Sequence, residues 1–362
     1  MSELTKTLED VFGFTSFRPG QEEVINHLMQ KKKLLAVMPT GSGKSLCYQL
    51  PALLFENQTI VVSPLVALMN EQVIGLKDLG INAERVHSGM SESERTQIWE
   101  KFKNKQIKIL YISPESLMRV EMLSALKALN ISMFVVDEAH CISKWGSDFR
   151  REYELLKELQ NHFPEAIISA FTATADEETR ADINNKLTNG EGKIFLYGFN
   201  RPNLSLAVQQ KTNNWKAQLL EFLANRKNES GIVYCLSQKL TEQCAEFLQS
   251  EDFNAYPFHA GLDTDVKIDT QDKFMTEDNV VVCATIAFGM GIDKADVRYV
   301  AHISLPSSME AFYQEIGRAG RDGIDADTLL IFGLQDLFQR KRFIDMTDAH
   351  DSFKIKEHKR LD

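Results

Sequence analysis

The sequence predicts an α/β protein built from two similar units in tandem, each a mostly parallel sheet flanked by helices. Apolar runs alternate with amphipathic stretches, which is typical of parallel strands joined by crossover helices. The alternation occurs twice, on either side of a break at residues 199–203 that contains a proline. The chain has 362 residues, too many for one compact core. We therefore expect a first domain at 1–200, a second at 201–340 and a short helical tail at 341–362.

Strands are expected where apolar residues run without interruption, because a strand covered by helices on both faces is buried on both sides. The two halves match in this pattern, although no literal repeat is visible. The predicted strands are residues 34–38, 59–63, 107–112, 133–137 and 167–172 in the first half, and 231–235, 254–259, 280–285, 299–303 and 328–332 in the second. The predicted helices include residues 65–79, 91–103, 151–163, 215–226 and 240–250.

The composition is that of an ordinary soluble globular protein, with 43% hydrophobic and 25% charged residues. No apolar run approaches the roughly 18–20 residues of a membrane span, and the N-terminus has no apolar signal core. We therefore expect a cytoplasmic protein without membrane contact. The net charge of −10 means that any nucleic-acid contact comes from a local groove with few charges. The five cysteines are scattered without a Cys-x-x-Cys pair, which predicts reduced, packed thiols and no zinc or disulfide frame.

The stretch after the first predicted strand has the pattern of a phosphate-binding loop. Gly41 and Gly43 allow backbone N–H groups to turn inward, and the helix that follows directs its positive end to the same place. Lys44 can reach the β- and γ-phosphates, and the Ser45 hydroxyl can hold Mg²⁺. The strict pattern G-x-x-x-x-G-K-[ST] is not met, and a Gly/Ser surface loop with a solvated lysine is the alternative. The residues expected to bind nucleotide here are Met38, Pro39, Thr40, Gly41, Ser42, Gly43, Lys44 and Ser45.

Two carboxylates, Asp137 and Glu138, follow the apolar run at 133–136. In a parallel sheet this strand end lies at the same edge as the phosphate loop. Asp137 is expected to hold Mg²⁺ together with Ser45, and Glu138 to act on the attacking water as a general base or an orienting group. The alternative is an acidic strand end that caps the next helix.

The order of these motifs resembles a known family. Asp-Glu-Ala-His at 137–140, downstream of Gly-Lys-Ser at 43–45, resembles the superfamily 2 helicases, and the continuation at 141–150 resembles specifically the RecQ DNA helicases. The similarity extends from about Phe12 to Phe332. It implies two RecA-like domains, ATP and Mg²⁺ as cofactors, and a monomer in the bacterial cytoplasm that acts on single-stranded and partly duplex DNA. The implied activity is DNA-stimulated ATP hydrolysis that drives 3′→5′ movement and unwinding.

Bacterial RecQ proteins usually continue into a four-cysteine zinc module and a winged helix. No cysteine follows Cys283 in this sequence, so we expect a catalytic core without zinc, whose last residues, 354–362, resemble the start of the zinc region. Without the duplex-binding wing, unwinding is expected to be weaker than ATP hydrolysis.

The resemblance assigns roles to further residues of the first half. Phe14, Arg18 and Gln21 match the motif that holds adenine, although the family usually has tyrosine at the position of Phe14; without the resemblance, the phenylalanines at 12, 14 and 17 predict a core contact. Two Ser-Pro pairs open helices after strands and match motifs that grip phosphates of a single strand; helix caps are the alternative. These pairs are Ser63 with Pro64 and Ser113 with Pro114.

In the family, the loop at 141–150 couples DNA binding to hydrolysis, and exposed aromatic side chains there can stack on bases. The family commonly has glutamine and histidine where Lys144 and Ser147 stand. Two aromatic side chains packed between the domains are the alternative. A nearby Thr-Ala-Thr pattern matches the motif that links hydrolysis to the domain interface. The residues expected to serve DNA binding and coupling in these motifs are His140, Trp145, Phe149, Arg150, Thr172 and Thr174.

In the second half, residues 284–293 match a motif that touches both ATP and DNA, with Gly291 and Asp293 as its nucleotide contacts. Gln314 belongs to a later motif that carries Arg318 and Arg321. Two arginines three residues apart share one face if they lie on a helix. By resemblance, Arg321 is an arginine finger that Arg318 assists at an ATP held by the first half. The alternative is a pair of surface arginines that bind Glu315 or Asp322.

Two other functions remain open. An RNA helicase shares the same core, but the loop at 141–150 favours DNA. A nucleotide-gated DNA clamp or scaffold with little unwinding is the second, and the complete set of Lys44, Asp137, Glu138 and Arg321 favours an enzyme instead.

Overall fold

The computed structural model describes residues 2–143, 149–198, 201–288, 294–346, 354 and 358. The chain divides into two compact units, Met1–Phe199 and Asn200–Asp362.

The first unit contains a seven-stranded sheet in which every neighbouring pair is parallel. Its strands are β1 Leu34–Val37, β2 Thr59–Val62, β3 Ala83–Val86, β4 Ile109–Ile112, β5 Met133–Val136, β6 Ile167–Thr172 and β7 Lys193–Leu196. The strand order is β3-β4-β2-β5-β6-β1-β7, which places β6 between β1 and β5. Because all strands run the same way, the segments after β1, β5 and β6 meet at one edge.

Helices cover both faces of this sheet, and polar caps define several of their starts. The Ser91 side chain and Glu94 form a reciprocal capping box at one helix start, and Asp176 caps another. The helices are α1 Glu3–Phe12, α2 Gln21–Met29, α3 Lys44–Leu54, α4 Val66–Asp78, α5 Glu92–Lys103, α6 Pro114–Leu117, α7 Val120–Lys127, α8 Arg151–Glu154, α9 Leu159–His162 and α10 Glu177–Thr188. Short 3-10 turns lie at Ala139–Ile142 and Leu155–Glu158.

The residues of β1 explain why its apolar run is continuous. Leu35 and Val37 pack into the core on one face of the sheet, whereas Leu34 and Ala36 pack into the core on the other. All four side chains are fully buried. Successive strand residues point to opposite faces, so a strand that is covered twice needs an apolar residue at every position.

The second unit repeats the architecture with six parallel strands in the order β10-β11-β9-β12-β13-β8. The two sheets have the same strand order when β8 to β13 are matched in sequence with β1 to β6, and β7 is an additional edge strand of the first sheet. The predicted class of two parallel α/β units is thereby confirmed. The strands are β8 Leu204–Gln210, β9 Gly231–Tyr234, β10 Asn254–Phe258, β11 Val280–Ala284, β12 Tyr299–His302 and β13 Ala326–Phe332, and the helices are α11 Trp215–Leu223, α12 Gln238–Ser250, α13 Thr264–Thr276, α14 Met309–Ile316 and α15 Leu334–Met346.

Three strands, β3, β7 and β8, were not predicted, and each lies at a sheet edge. Only Phe195 is buried in β7, and no residue of β8 is fully buried. An edge strand has one open side and is covered incompletely, so its sequence lacks the continuous apolar run on which the prediction relied.

The single helix predicted at 151–163 is wrong, because a 3-10 turn at Leu155–Glu158 separates α8 from α9. Tyr153, Leu156 and Leu159 are all fully buried and three residues apart. A 3-10 turn has three residues per turn and brings such positions to one side, whereas an α-helix would rotate them gradually away.

All five cysteines are buried and free of disulfides. Burial raises the pKa of the Cys47 thiol to about 12, so this thiol stays protonated and behaves as an apolar side chain. In the described part of the chain, no three His, Cys, Asp or Glu side chains gather as a metal site would require. None of the helices described is long and apolar enough to cross a bilayer.

Candidate active site

The predicted phosphate loop connects β1 to α3 at the edge of the first sheet. Its backbone is anchored at the start, where the Met38 N–H donates to the Thr172 carbonyl at 3.0 Å. The Ser42 hydroxyl and N–H both donate to the Pro39 carbonyl, at 2.6 and 3.1 Å, which closes the turn. Gly43 has φ +78° and directly precedes α3, so Lys44 occupies the first turn of that helix. This is the strand–loop–helix geometry that the phosphate-loop prediction requires.

The predicted adenine motif lies against the same loop. The Gln21 side chain is buried, and its Nε2 donates to the carbonyls of Ser42 and Gly43 at 3.1 Å each. Its Oε1 accepts from the backbone N–H of Arg18 at 2.8 Å. The amide of Gln21 is therefore engaged by the protein itself and braces the loop from outside.

Two other residues complete this motif. The Arg18 guanidinium donates to the Gly41 carbonyl at 2.6 Å, so Arg18 also supports the loop. Phe14 is 51% exposed, which leaves its ring open to a flat ligand. Arg18 is exposed as well, and adenine recognition by this motif stays a prediction.

Replacing Gly43 with alanine is expected to weaken ATP binding about tenfold or more. Residue 43 has a positive φ, and a Cβ there would clash with the side-chain nitrogen Nε2 of Gln21. The variant would force Gln21 off the loop and lose two hydrogen bonds worth about 1 kcal/mol each, in addition to backbone strain of ~1 kcal/mol. The measurement is the dissociation constant of a fluorescent ATP analogue.

Gly80→Ala is the matched control for that variant. Gly80 has φ +75°, but no atom lies within 4 Å of the Cβ that alanine would add. It therefore carries the same backbone strain without a contact to the loop. Equal ATP affinities for the two variants would contradict a specific role for the contact between Gln21 and Gly43.

Asp137 and Glu138 follow β5 at the same edge. Asp137 is buried, and burial followed by the neighbouring charge of Glu138 raises its pKa to about 6, against the opposing effect of Lys44. Glu138 adopts a left-handed backbone conformation, φ 47°, and its N–H donates to Asp137 Oδ1 at 3.0 Å. Such a backbone is unfavourable for a non-glycine residue and often marks a functional site. Asp137 is buried and Glu138 beside it is half-buried. Carboxylate and hydroxyl oxygens are ligands that Mg²⁺ accepts, and binding of this ion by Asp137 with Ser45 stays a prediction.

Close polar contacts through His140 connect Glu138 to β6. His140 Nδ1 lies 2.8 Å from the Thr172 hydroxyl and 3.4 Å from Glu138 Oε2. The Thr172 hydroxyl donates its only hydrogen to the Thr174 carbonyl at 3.0 Å. The geometry therefore assigns a hydrogen to His140 Nδ1, which donates to Thr172 and faces Glu138.

Buried tyrosines were not anticipated as part of this site. The Tyr153 hydroxyl donates to the Asp137 carbonyl at 3.0 Å and fixes the end of β5 from α8. Behind the phosphate loop, Gln49 of α3 donates to the Tyr111 hydroxyl at 3.1 Å and to Gln72 of α4 at 2.8 Å. These residues could have been found from the sequence as polar side chains within otherwise apolar helix and strand patterns.

The predicted DNA-contact pairs also lie at this edge, after β2 and β4. The serine side chains at 63 and 113 are both buried, and the Ser113 hydroxyl donates to Ser116. Pro114 is buried as well, whereas Pro64 is half-buried. Contact of these pairs with a DNA strand would therefore use their backbone groups. Phosphate binding by the pairs stays a prediction.

The loop predicted to couple DNA and ATP is closed at its base by Arg150, whose N–H donates to the Cys141 carbonyl at 2.9 Å. The Arg150 guanidinium donates to the Pro64 carbonyl at 3.0 Å, which joins this loop to the first Ser-Pro pair. Phe149 is half-buried. Trp145, together with positions 144 and 147, lies outside the described residues.

In the second unit, Gly291 and Asp293 lie outside the described residues. Gln314 is half-buried on α14, and Arg318 and Arg321 are half-buried after it. Arg318 and Arg321 do not lie on a helix, because α14 ends at Ile316, so the condition for a shared helix face is not met. They lie in a turn-rich segment, residues 317–324, which we call the arginine loop. Glycines at 317 and 320 flank its first turn, and the helix does not continue through them.

Each of the two units matches a protein-family model. The family model described as DEAD/DEAH box helicase matches residues 18–183, and the one described as helicase conserved C-terminal domain matches residues 215–323. The chain is similar to the ATP-dependent DNA helicase RecQ of Pasteurella multocida, with 44% identity over 90% of this chain and 51% of the relative. The chain thus spans about half the length of that relative.

Two further similarities extend over nearly the whole chain. A probable ATP-dependent DNA helicase RecS of Bacillus subtilis is 40% identical over 96% of this chain and 70% of its own length. The solved structure of the Mycobacterium smegmatis helicase Lhr bound to single-stranded DNA and AMP-PNP superposes with a TM-score of 0.72 at 20% identity, covering 95% of this chain and 49% of that chain. At that identity, the second similarity concerns the fold alone.

Proposed function

Because this chain belongs to the RecQ family of DNA helicases, we propose that it hydrolyses ATP in response to single-stranded DNA. Hydrolysis drives 3′→5′ movement of the protein along the DNA strand and separates the duplex ahead of the protein. The protein acts as a monomer in the cytoplasm. One observation carries the proposal: the phosphate loop and the carboxylates Asp137 and Glu138 lie at the same sheet edge. Thr172 connects them, because its carbonyl binds the loop and its hydroxyl binds His140.

The phosphate loop and the start of α3 hold the triphosphate in this proposal. Backbone N–H groups of the loop and the positive helix end favour the phosphate charge, and Lys44 neutralises the β- and γ-phosphates. Ser45 and Asp137 would hold Mg²⁺, and this ion, when bound, would withdraw charge from the phosphate oxygens. Burial and then the neighbouring charge of Glu138 raise the pKa of Asp137, so a bound cation would stabilise its ionised form.

Glu138 orients and deprotonates the attacking water. The left-handed backbone of Glu138 and the hydrogen bond from its N–H to Asp137 fix the position of its Cα and Cβ atoms. The His140 imidazole lies beside the Glu138 carboxylate. His140 is in turn connected to Thr172, whose backbone anchors the phosphate loop. A shift of β6 or of the loop at 141–150 therefore changes the surroundings of the water-activating group.

DNA acts on this centre through the Ser-Pro pairs and the loop at 141–150. The hydrogen bond from Arg150 to the Pro64 carbonyl supports such a connection within the first unit. From the second unit, Arg318 and Arg321 contribute positive charge to the transition state of the ATP held by the first, as the family resemblance implies.

The decisive experiment titrates phosphate release with single-stranded DNA and, separately, with single-stranded RNA of the same sequence. We expect strong stimulation by DNA and little by RNA, and Lys44→Ala, which removes the charge on the phosphates, is expected to abolish turnover and serves as the blank. Equal stimulation by RNA would favour an RNA helicase, and binding without turnover would favour a scaffold.

Direction is tested by strand displacement on duplexes with a 3′ or a 5′ overhang. Displacement of the 3′-tailed substrate is expected, at a rate below that of phosphate release. Preference for the 5′ overhang would contradict the proposed direction.

A further inference from the structure

The start of the second unit binds the backbone of the arginine loop. Arg201 Nη2 donates to the carbonyls of Ala319 and Gly320 at 2.9 and 2.6 Å, and Nη1 lies 3.5 Å from the Gly317 carbonyl. The two carbonyls with short bonds belong to residues that stand between Arg318 and Arg321 in the sequence. A single guanidinium thus holds the segment that joins the two arginines.

Asn203 binds the same segment from the neighbouring position. Its Nδ2 donates to the carbonyls of Gly320 and Ile324 at 2.9 Å each, and its Oδ1 accepts from Arg201 Nε at 3.3 Å. The backbone carbonyl of Asn203 accepts from the Ala326 N–H at 2.9 Å, at the start of β13. The two side chains therefore act together and are tied to the sheet.

Chemistry explains why an arginine occupies position 201. The carbonyls beyond the end of α14 carry partial negative charge, which favours a cation. The planar guanidinium can bind two carbonyls at once in a fixed orientation, whereas a lysine ammonium is a point charge on a flexible stem. Arg201 is half-buried, so these bonds are partly shielded from water.

Other contacts keep the loop folded independently of Arg201. The Gly320 N–H donates to the Val297 carbonyl at 2.9 Å, and the Asp322 N–H donates to the Ala295 carbonyl at 3.2 Å. On the same side, Arg298 pairs with Asp322 at 2.6 Å. Changing Arg201 is therefore expected to shift the loop rather than unfold it.

We propose that Arg201 and Asn203 are positioning residues for hydrolysis, which set the placement of Arg318 and Arg321 without touching ATP. The inference rests on the proposed role of the two arginines in hydrolysis. A misplacement of about 1 Å in a group that stabilises the transition state can cost about 100-fold in rate.

The first test compares Arg201→Lys and Asn203→Ala with the control Arg226→Lys. Arg226 is also a half-buried arginine of the second unit and donates to a backbone carbonyl, that of Phe222 at 3.1 Å, but it does not bind the arginine loop. We expect kcat at saturating single-stranded DNA to fall about 10- to 100-fold for Arg201→Lys, and less for Asn203→Ala. The dissociation constant of AMP-PNP and the melting temperature are expected to stay close to those of the wild type, and Arg226→Lys is expected to retain full kcat.

The second test is a double-mutant cycle with Arg321→Ala, measured by single-turnover release of labelled phosphate. If Arg201 acts through the arginines, Arg201→Lys is expected to lower the rate by a smaller factor once Arg321 is absent, and any remaining loss then reports on Arg318. The positioning role alone is overturned if Arg201→Lys lowers the rate by the same factor with and without Arg321. It is also overturned if Arg201→Lys leaves kcat unchanged while Arg321→Ala lowers it. Unchanged kcat for Arg321→Ala would overturn the proposed role of the arginines, and with it this inference.

Discussion

Replacing Glu138 with glutamine is expected to lower the rate of ATP hydrolysis about 10²- to 10⁴-fold, the usual contribution of a general base. Glutamine keeps the length and shape of the side chain but cannot accept a proton from water. The left-handed backbone at 138 and the N–H bond to Asp137 do not depend on the carboxylate, so the fold is expected to persist. ATP binding is expected to persist as well, because Lys44 and the phosphate loop are unchanged.

The measurement is kcat with saturating single-stranded DNA, beside the affinity for an ATP analogue and the melting temperature. Glu121→Gln is the control, since Glu121 is an exposed carboxylate in the first turn of α7 of the same unit. The Glu138 side chain makes no capping hydrogen bond to the turn that follows it. If Glu138→Gln turned over ATP at near the wild-type rate, Glu138 would have no essential part in activating the water.

Much of the fold was predictable because the central strands are covered on both faces. An uninterrupted apolar run such as 133–136 has few other stable arrangements in a soluble protein of this length. Most predicted strands extend one residue too far, to positions such as Met38, Ser63 and Asp137. These are the residues at which the chain leaves the sheet, and their function depends on lying beyond the strand rather than in it.

The parts of the site that escaped prediction depend on contacts between residues far apart in sequence. Arg201 and Asn203 were visible only as flanks of a proline that interrupts the pattern, and their partners lie more than a hundred residues later. Gln21 matched an adenine motif, yet its amide braces the phosphate loop. Local sequence indicates which residue types are present, but it does not fix which of several hydrogen-bond acceptors a long side chain will reach.

Replacing Arg321 with alanine is expected to lower kcat about 10³- to 10⁵-fold, the range found for arginine fingers in other nucleotide hydrolases. The alternative, a surface arginine paired with Glu315 or Asp322, predicts a different result. Each of these carboxylates has another basic partner, since Glu315 bonds with His302 at 2.7 Å and Asp322 with Arg298 at 2.6 Å. Loss of a surface ion pair would change stability by about 0.2–1 kcal/mol and leave the rate intact.

Rate and stability must therefore be measured on the same preparation, by phosphate release and by thermal unfolding. Arg342→Ala removes an exposed arginine of α15 and is the control for the change in net charge. A large fall in kcat with an unchanged melting temperature is the expected result for Arg321→Ala. A lower melting temperature at an unchanged kcat would identify Arg321 as part of an ion pair and would remove the second unit from the proposed chemistry of hydrolysis.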